Sequence, residues 1–134
     1  LTADRLIDLA NLTGAVDAAL SDEYTGAITN DAAYFEGLQE VAKTEGEKIW
    51  LLPNDENLAK KNRDTKVADV LNSTSGGAGT ITAGQFVGEF LAREVPWIHL
   101  DIAGTAYGDR AKGYVPERAP GVLVKSLYRY LSLT

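Results

Sequence analysis

The spacing of apolar positions changes several times along the chain, and each change marks an element. Leu6-Ile7-Asp8-Leu9-Ala10-Asn11-Leu12 is an apolar run with polar residues before it and Thr13-Gly14 after it. Residues 5 to 12 therefore predict a buried strand of an α/β sheet. The Ala-rich stretch from Ala15 to Leu20 predicts one or two helical turns, and Tyr24 to Thr29 a second strand. Asn30-Asp31 then offers a helix N-cap. The helix it opens carries Phe35, Leu38, Val41 and Ala42 on one face and ends near Gly46. Ile49 to Leu52 is short and apolar, and Pro53-Asn54-Asp55 breaks it. The charged residues 55 to 66 predict an exposed helix.

Ser73 to Gly79 reads as a flexible loop running into Thr82-Ala83-Gly84-Gln85. That tetrad fits a capping box, with Thr82 as the cap and Gln85 reaching back to it. The helix so started is expected to bury Phe86, Val87, Phe90 and Leu91. Pro96 stops what precedes it, and Trp97 to Ile102 is the strongest strand signal in the chain. Ala103-Gly104-Thr105 leaves that strand as a tight turn, and residues 107 to 118 read as an irregular loop. Pro120 is placed to open a last helix, striped by Leu123, Val124, Leu127, Tyr128 and Leu131. Strands alternate with helices and no internal repeat is visible. The class is α/β, with a mostly parallel sheet covered by helices.

Composition changes this picture mainly by exclusion. The 134 residues make one domain's worth of chain, 45% hydrophobic and 24% charged, as expected of a folded globular unit. A net charge of −6 disfavours a nucleic-acid surface, which needs a Lys/Arg excess. No run approaches the roughly 18 apolar residues that span a bilayer, and residues 1 to 5 lack a secretory signal's pattern. A cytoplasmic setting and no membrane partner are expected. The chain has no methionine and enters its first apolar run within a few residues of Leu1. Residue 1 is accordingly read as a cut end.

Catalytic constellations are hard to assemble from these residues. With no cysteine and a single histidine, His99, a zinc site of converging His and Cys ligands is not available. Alternation sets His99 on one strand face with Trp97 and Asp101, as a core or interface histidine. Ser73 to Gly79 lacks the Gly-Lys-Ser/Thr ending of a phosphate-binding loop, and Gly-x-Ser-x-Gly is absent. Asp22-Glu23 and Asp55-Glu56 sit in polar stretches and read as solvated faces. Asp8 and Asp101 lie inside apolar strands, where a carboxylate needs partners. They are candidates for structural anchors or for neighbours of a site.

Several segments together resemble the leucyl aminopeptidase family. These are Asp8-Leu9-Ala10-Asn11-Leu12-Thr13-Gly14-Ala15, Tyr24 to Asp31, Trp50-Leu51-Leu52-Pro53, Val67-Ala68-Asp69-Val70 with Asn72, and Gly79-Thr80-Ile81-Thr82-Ala83. The most specific is Trp97-Ile98-His99-Leu100-Asp101-Ile102-Ala103-Gly104-Thr105-Ala106. All occur in the family's order over nearly the whole chain. The resemblance implies part of a three-layer α/β/α sandwich with a mostly parallel mixed sheet. It also implies release of N-terminal, leucine-type amino acids from peptides by two divalent cations, zinc or manganese, in a cytoplasmic homo-oligomer, usually a hexamer.

On that resemblance, residues 1–134 are the C-terminal segment of the catalytic domain, without the N-terminal domain and the metal-ligand region. The lysine, carboxylates and arginine that hold metals and do chemistry in the family lie upstream of the Asp8 segment. No catalytic or metal residue and no bound cation is therefore expected in this chain. What it retains is a substrate wall: Asn11, Leu12, Thr13 and Gly14 beside the metals, and Ala103 and Ala106 around the substrate's first side chain. The rival reading is a non-catalytic binding or structural homologue. Two departures stand out: Asn11 where the family usually has Thr, and Lys112 to Gly121, which keeps only the opening Lys-Gly of the family pattern in a longer loop.

Overall fold

The computed structural model describes residues 2–109, 113 and 115–134; the departures read at Lys112 and Tyr114, and the cut end read at Leu1, lie outside them. The order of elements is β1 (Leu6–Ala10), α1 (Gly14–Leu20), β2 (Thr25–Thr29), α2 (Ala32–Thr44), β3 (Ile49–Leu51), α3 (Glu56–Arg63), α4 (Gly79–Gly88), β4 (Trp97–Asp101) and α5 (Val124–Leu133). The strands form one sheet in the order β1-β4-β2-β3. β1 runs parallel to β4 and β3 parallel to β2, whereas β2 and β4 are antiparallel. Two of the three pairings are thus parallel, and the C-terminal ends of β1 and β4 share an edge with the start of β2.

Helices cover both faces, which makes three layers. On one face Phe35, Leu38 and Ala42 of α2 pack with Tyr130 of α5 against Ala27, Ile49, Ile98 and Leu100 of the sheet. Burial there pushes the Tyr34 phenol above its usual range, with Tyr130 adding to the rise and the Arg5 cation opposing it. Asp31 caps α2 by accepting from the Tyr34 amide at 2.9 Å, as the sequence predicts. On the other face α4 lies so close to the sheet that it has room only for small side chains. A Cβ on Gly84 would meet Ile28 Cγ1 at 2.8 Å and His99 Cδ2 at 2.9 Å, and one on Gly88 would meet the Trp97 ring at 2.9 Å.

That close approach overturns the expected start and buried face of α4. The helix begins at Gly79, after Ala78 in the left-handed region, and not at Thr82. Thr82 lies within the helix, and Gln85 Nε2 donates to Asn54 Oδ1 at 3.0 Å and the Asp55 carbonyl at 2.8 Å. Thr80, Thr82, Gly84 and Gln85 are the buried residues. Trp97 and His99 already fill the space beneath, so Phe86 and Phe90 meet edge to face outside the core, ring centroids 5.1 Å apart. Phe90 is 68% exposed.

Two further expectations are corrected. The last helix starts four residues beyond Pro120, after Leu123 in the left-handed region. Its opening amides are capped from a distance by Glu47, which accepts from Leu123 N at 2.7 Å and Ser126 N at 3.2 Å and also meets the Ser126 hydroxyl. This docking turns Leu123, Ser126, Leu127 and Tyr130 inward and leaves Val124, Tyr128 and Leu131 exposed. β1 is not a buried strand. It lies at the edge of the sheet, and every residue in it keeps some exposure.

Gly84→Ala tests the α4 contact. Alanine should gain about 1 kcal/mol of helix propensity, but overpacking costs about 2 kcal/mol, so a net loss near 1 kcal/mol is expected in urea unfolding. Gly14→Ala, where a Cβ meets nothing within 4 Å, should change stability by less than about 0.5 kcal/mol.

Candidate functional site

The residues expected to form a substrate wall lie at the sheet edge where β1 and β4 end. Both strands run in the same direction with Ala10 opposite Asp101, so the turn after β1 and the turn after β4 emerge side by side. Asp101, 1% exposed, ties them together. Its Oδ1 accepts from the Leu12 amide at 3.3 Å and the Ala103 amide at 3.2 Å, and its Oδ2 accepts from the Thr13 hydroxyl at 2.6 Å. Three donors from two turns satisfy one buried carboxylate, as burial of such a group demands.

Thr13 serves twice. Its hydroxyl donates to Asp101, and the same oxygen accepts from Val16 N at 3.1 Å, capping α1. The Thr80 hydroxyl at the start of α4 lies 3.3 Å from it. Asn11 and Gly14 flank these contacts and are exposed, and Leu12 is 39% exposed. Open space over Gly14 shows that this turn is not held by close packing there. On the β4 side, Ala106 N donates to the Ile102 carbonyl at 2.7 Å, and Thr105 exchanges a 2.8 Å hydroxyl contact with Thr25. Gly104 sits against the Ser21 carbonyl, where any side chain would collide with backbone.

The structure thus brings Leu12, Thr13 and Ala103 onto one carboxylate. Asn11 and Gly14 are carried on the same turn as the first two, and Ala106 on the turn after β4. A cavity of about 460 Å³ opens on the far side of the Thr25–Thr105 contact, with Glu47, Lys48, Val122 and Lys125 also in its wall. None of the six expected residues lines it. Sequence reasoning marked Asp101 as a buried carboxylate without finding its partners. Thr80 escapes the sequence reading, because a cap at Thr82 sets the start of α4 four residues late.

A second polar group lies deeper on the same face. Asp8 accepts from His99 Nδ1 at 2.6 Å and from Trp97 Nε1 at 2.7 Å. A carboxylate accepts, so Nδ1 carries the proton, while the buried Nε2 has no partner among the described residues. This is the interior histidine that strand alternation predicts. Among the described residues no three His, Cys, Asp or Glu side chains come together as metal ligands. The described side chains do not fit a two-metal centre.

The family model described as the cytosol aminopeptidase family, catalytic domain, matches residues 1–128. The chain belongs to the cytosol aminopeptidase family. A Treponema denticola protein named "Probable cytosol aminopeptidase" is 50% identical over 133 residues, which are 98% of this chain and 28% of that protein. A Bacillus subtilis protein of the same name is 43% identical over 125 residues, covering 93% of this chain and 25% of its own length. Among solved structures, a tomato leucine aminopeptidase mutant superposes with a TM-score of 0.89 at 32% identity, over 98% of this chain and 25% of its own. The bottromycin maturation enzyme in complex with Mn gives 0.90 at 32% identity, over 97% and 29%. The chain therefore spans between a quarter and a third of the length of these relatives. No helix among the described residues is long and apolar enough to cross a membrane.

Asp101→Asn replaces an acceptor-only group with one whose amide must face donors. It should cost about 3 kcal/mol in urea unfolding and speed hydrogen exchange at the Leu12 and Ala103 amides. Thr13→Val, which removes the cap and one donor, should cost about 1 kcal/mol.

Proposed function

We propose that this chain forms one wall of the peptide cleft of a leucine-type metalloaminopeptidase. Asn11, Leu12, Thr13 and Gly14 run along the peptide, and Ala103 and Ala106 leave space for the side chain of its first residue. The observation that carries this reading is the exposed Asn11–Gly14 turn pinned to the Ala103 turn by Asp101. Turns at the carboxyl ends of parallel strands are where α/β sheets bind ligands. Two fixed turns lined by small residues give an apolar group a defined place to sit.

The metals, zinc or manganese, belong in this proposal to a parent enzyme and are held by residues other than these 134. The Mn complex of the bottromycin enzyme supports a divalent cation as a partner of this fold. The relatives' names support the cytosol as the place of action. A homo-oligomer, hexameric as the family resemblance implies, completes the reading. Alone, the chain is inactive: it offers the wall without the groups that polarise a carbonyl or activate water.

A chimera tests this directly. The matching 133 residues of the Treponema denticola protein are replaced by this chain, and a leucyl anilide is assayed with added manganese or zinc. The chimera should turn over in a metal-dependent way and the isolated chain should not. In the chimera, Ala106→Phe should lower kcat/KM for the leucyl substrate at least about tenfold, roughly 1.4 kcal/mol, and lower it less for the alanyl analogue. A folded but inert chimera, or turnover by the isolated chain, would overturn the proposal.

A further inference from the structure

The turn that leaves β4 carries both alanines of the proposed wall and folds on a single acceptor. Thr105 N and Ala106 N both donate to the Ile102 carbonyl, at 3.0 and 2.7 Å. Three contacts from outside the turn then hold it in place. Ala103 N donates to Asp101 Oδ1 at 3.2 Å. Gly104 rests on the Ser21 carbonyl, where any Cβ would collide with backbone. The Thr105 hydroxyl meets the Thr25 hydroxyl at 2.8 Å.

The first two contacts are backed by solid structure and the third is not. Asp101 is buried at the end of β4, and Ser21 closes α1 with its amide on the Asp17 carbonyl at 2.8 Å. Thr25 is itself a firm anchor. It is fully buried in β2, its backbone N donates to the Lys48 carbonyl at 3.0 Å, and it pairs with Ile49 of β3. Beside the two hydroxyls, however, lies the cavity of about 460 Å³, walled also by Val115, Pro116, Val122 and Val124. Open space offers a side chain no van der Waals resistance to moving into it. In that direction the hydroxyl pair, and not packing, restrains Thr105. A single hydrogen bond of this kind biases an equilibrium roughly fivefold.

We infer that the Thr25–Thr105 hydroxyl pair is a stop that sets how large a first side chain the cleft accepts. Thr25 and Thr105 are positioning residues: they hold Ala103 and Ala106 forward, at a depth that suits a leucine-sized group. Without the pair, the Ala106 end of the turn settles back toward the cavity and the subsite deepens to admit aromatic side chains. The inference rests on the reading above that these two alanines face the peptide's first side chain, and it names the residues that fix the dimension of that subsite.

The chimera described above is compared with its Thr25→Val and Thr105→Val forms, each of which keeps the side chain's shape and removes one hydroxyl. In both, the ratio of kcat/KM for a phenylalanyl anilide to that for the leucyl anilide should rise about fivefold. The Thr105 and Ala106 amides should also exchange faster with solvent. Thr25→Ser keeps the hydroxyl and should hold the parent ratio. Adding Val122→Phe to the Thr25→Val form fills the cavity from its wall and should bring the ratio back down. A role in stability alone would lower both substrates equally and leave the ratio in place. An active chimera whose ratio moves in neither valine form, or whose Thr105 and Ala106 amides keep the parent exchange rate, overturns the inference and leaves the cleft reading standing. A folded but inert chimera overturns the cleft reading, and this inference with it.

Discussion

The contact on which the rest of the site depends is a carboxylate with three donors. Asp101 closes β4, the strand shared by both halves of the sheet, and gathers the Leu12 amide, the Thr13 hydroxyl and the Ala103 amide. Leu12 and Thr13 are 89 and 88 residues away in the chain. Neither turn has local chemistry that would set its orientation toward the other. A buried charge is costly unless hydrogen-bond donors surround it, and that cost makes the arrangement specific. Either turn moving away would leave the carboxylate short of a partner. The pairing of the two turns is therefore as rigid as the carboxylate's need for all three donors.

The same face shows how a thin layer is made. β4 presents Trp97, His99 and Asp101 to α4, large or polar groups where small apolar ones would be usual. α4 answers with Gly84 and Gly88 directly over the rings. Asp8 supplies the acceptor for both ring N–H groups, so these two donors cost little to bury and β1 is locked in register on β4. Glycine here serves close packing: a helix that meets aromatic rings edge-on must give up its own side chains.

What was legible in the sequence follows from how local each cause is. Strands β2 and β4 and helix α2 are set by period, by Pro96 and by the Asp31 cap, all within a few residues of the element. The start of α4 was misread because Thr82 and Gln85 have the spacing of a capping box while their partners lie elsewhere, Gln85's at Asn54 and Asp55. The inward face of α5 was misread in part because Glu47, not Pro120, decides where that helix begins. The apolar run marks β1 as a strand but not as an edge strand, since local sequence shows what a strand prefers and not its place in the sheet. In the candidate site, the two turns could be singled out only through family resemblance. Asp101 was visible as a carboxylate in need of partners, and Thr80 was hidden by the misplaced helix start.

The Glu47 cap bears on the order in which the molecule assembles. A ten-residue helix has little stability by itself in water, and α5 lacks a starting residue of its own. The group that satisfies its first amides is 76 residues earlier, at the corner between α2 and β3. Until that corner exists, the last helix has nothing to nucleate on. Its docking therefore depends on a long-range contact, of the kind that raises contact order and slows folding. The C-terminal helix acts as a latch, engaging only once the layer beneath it is in place.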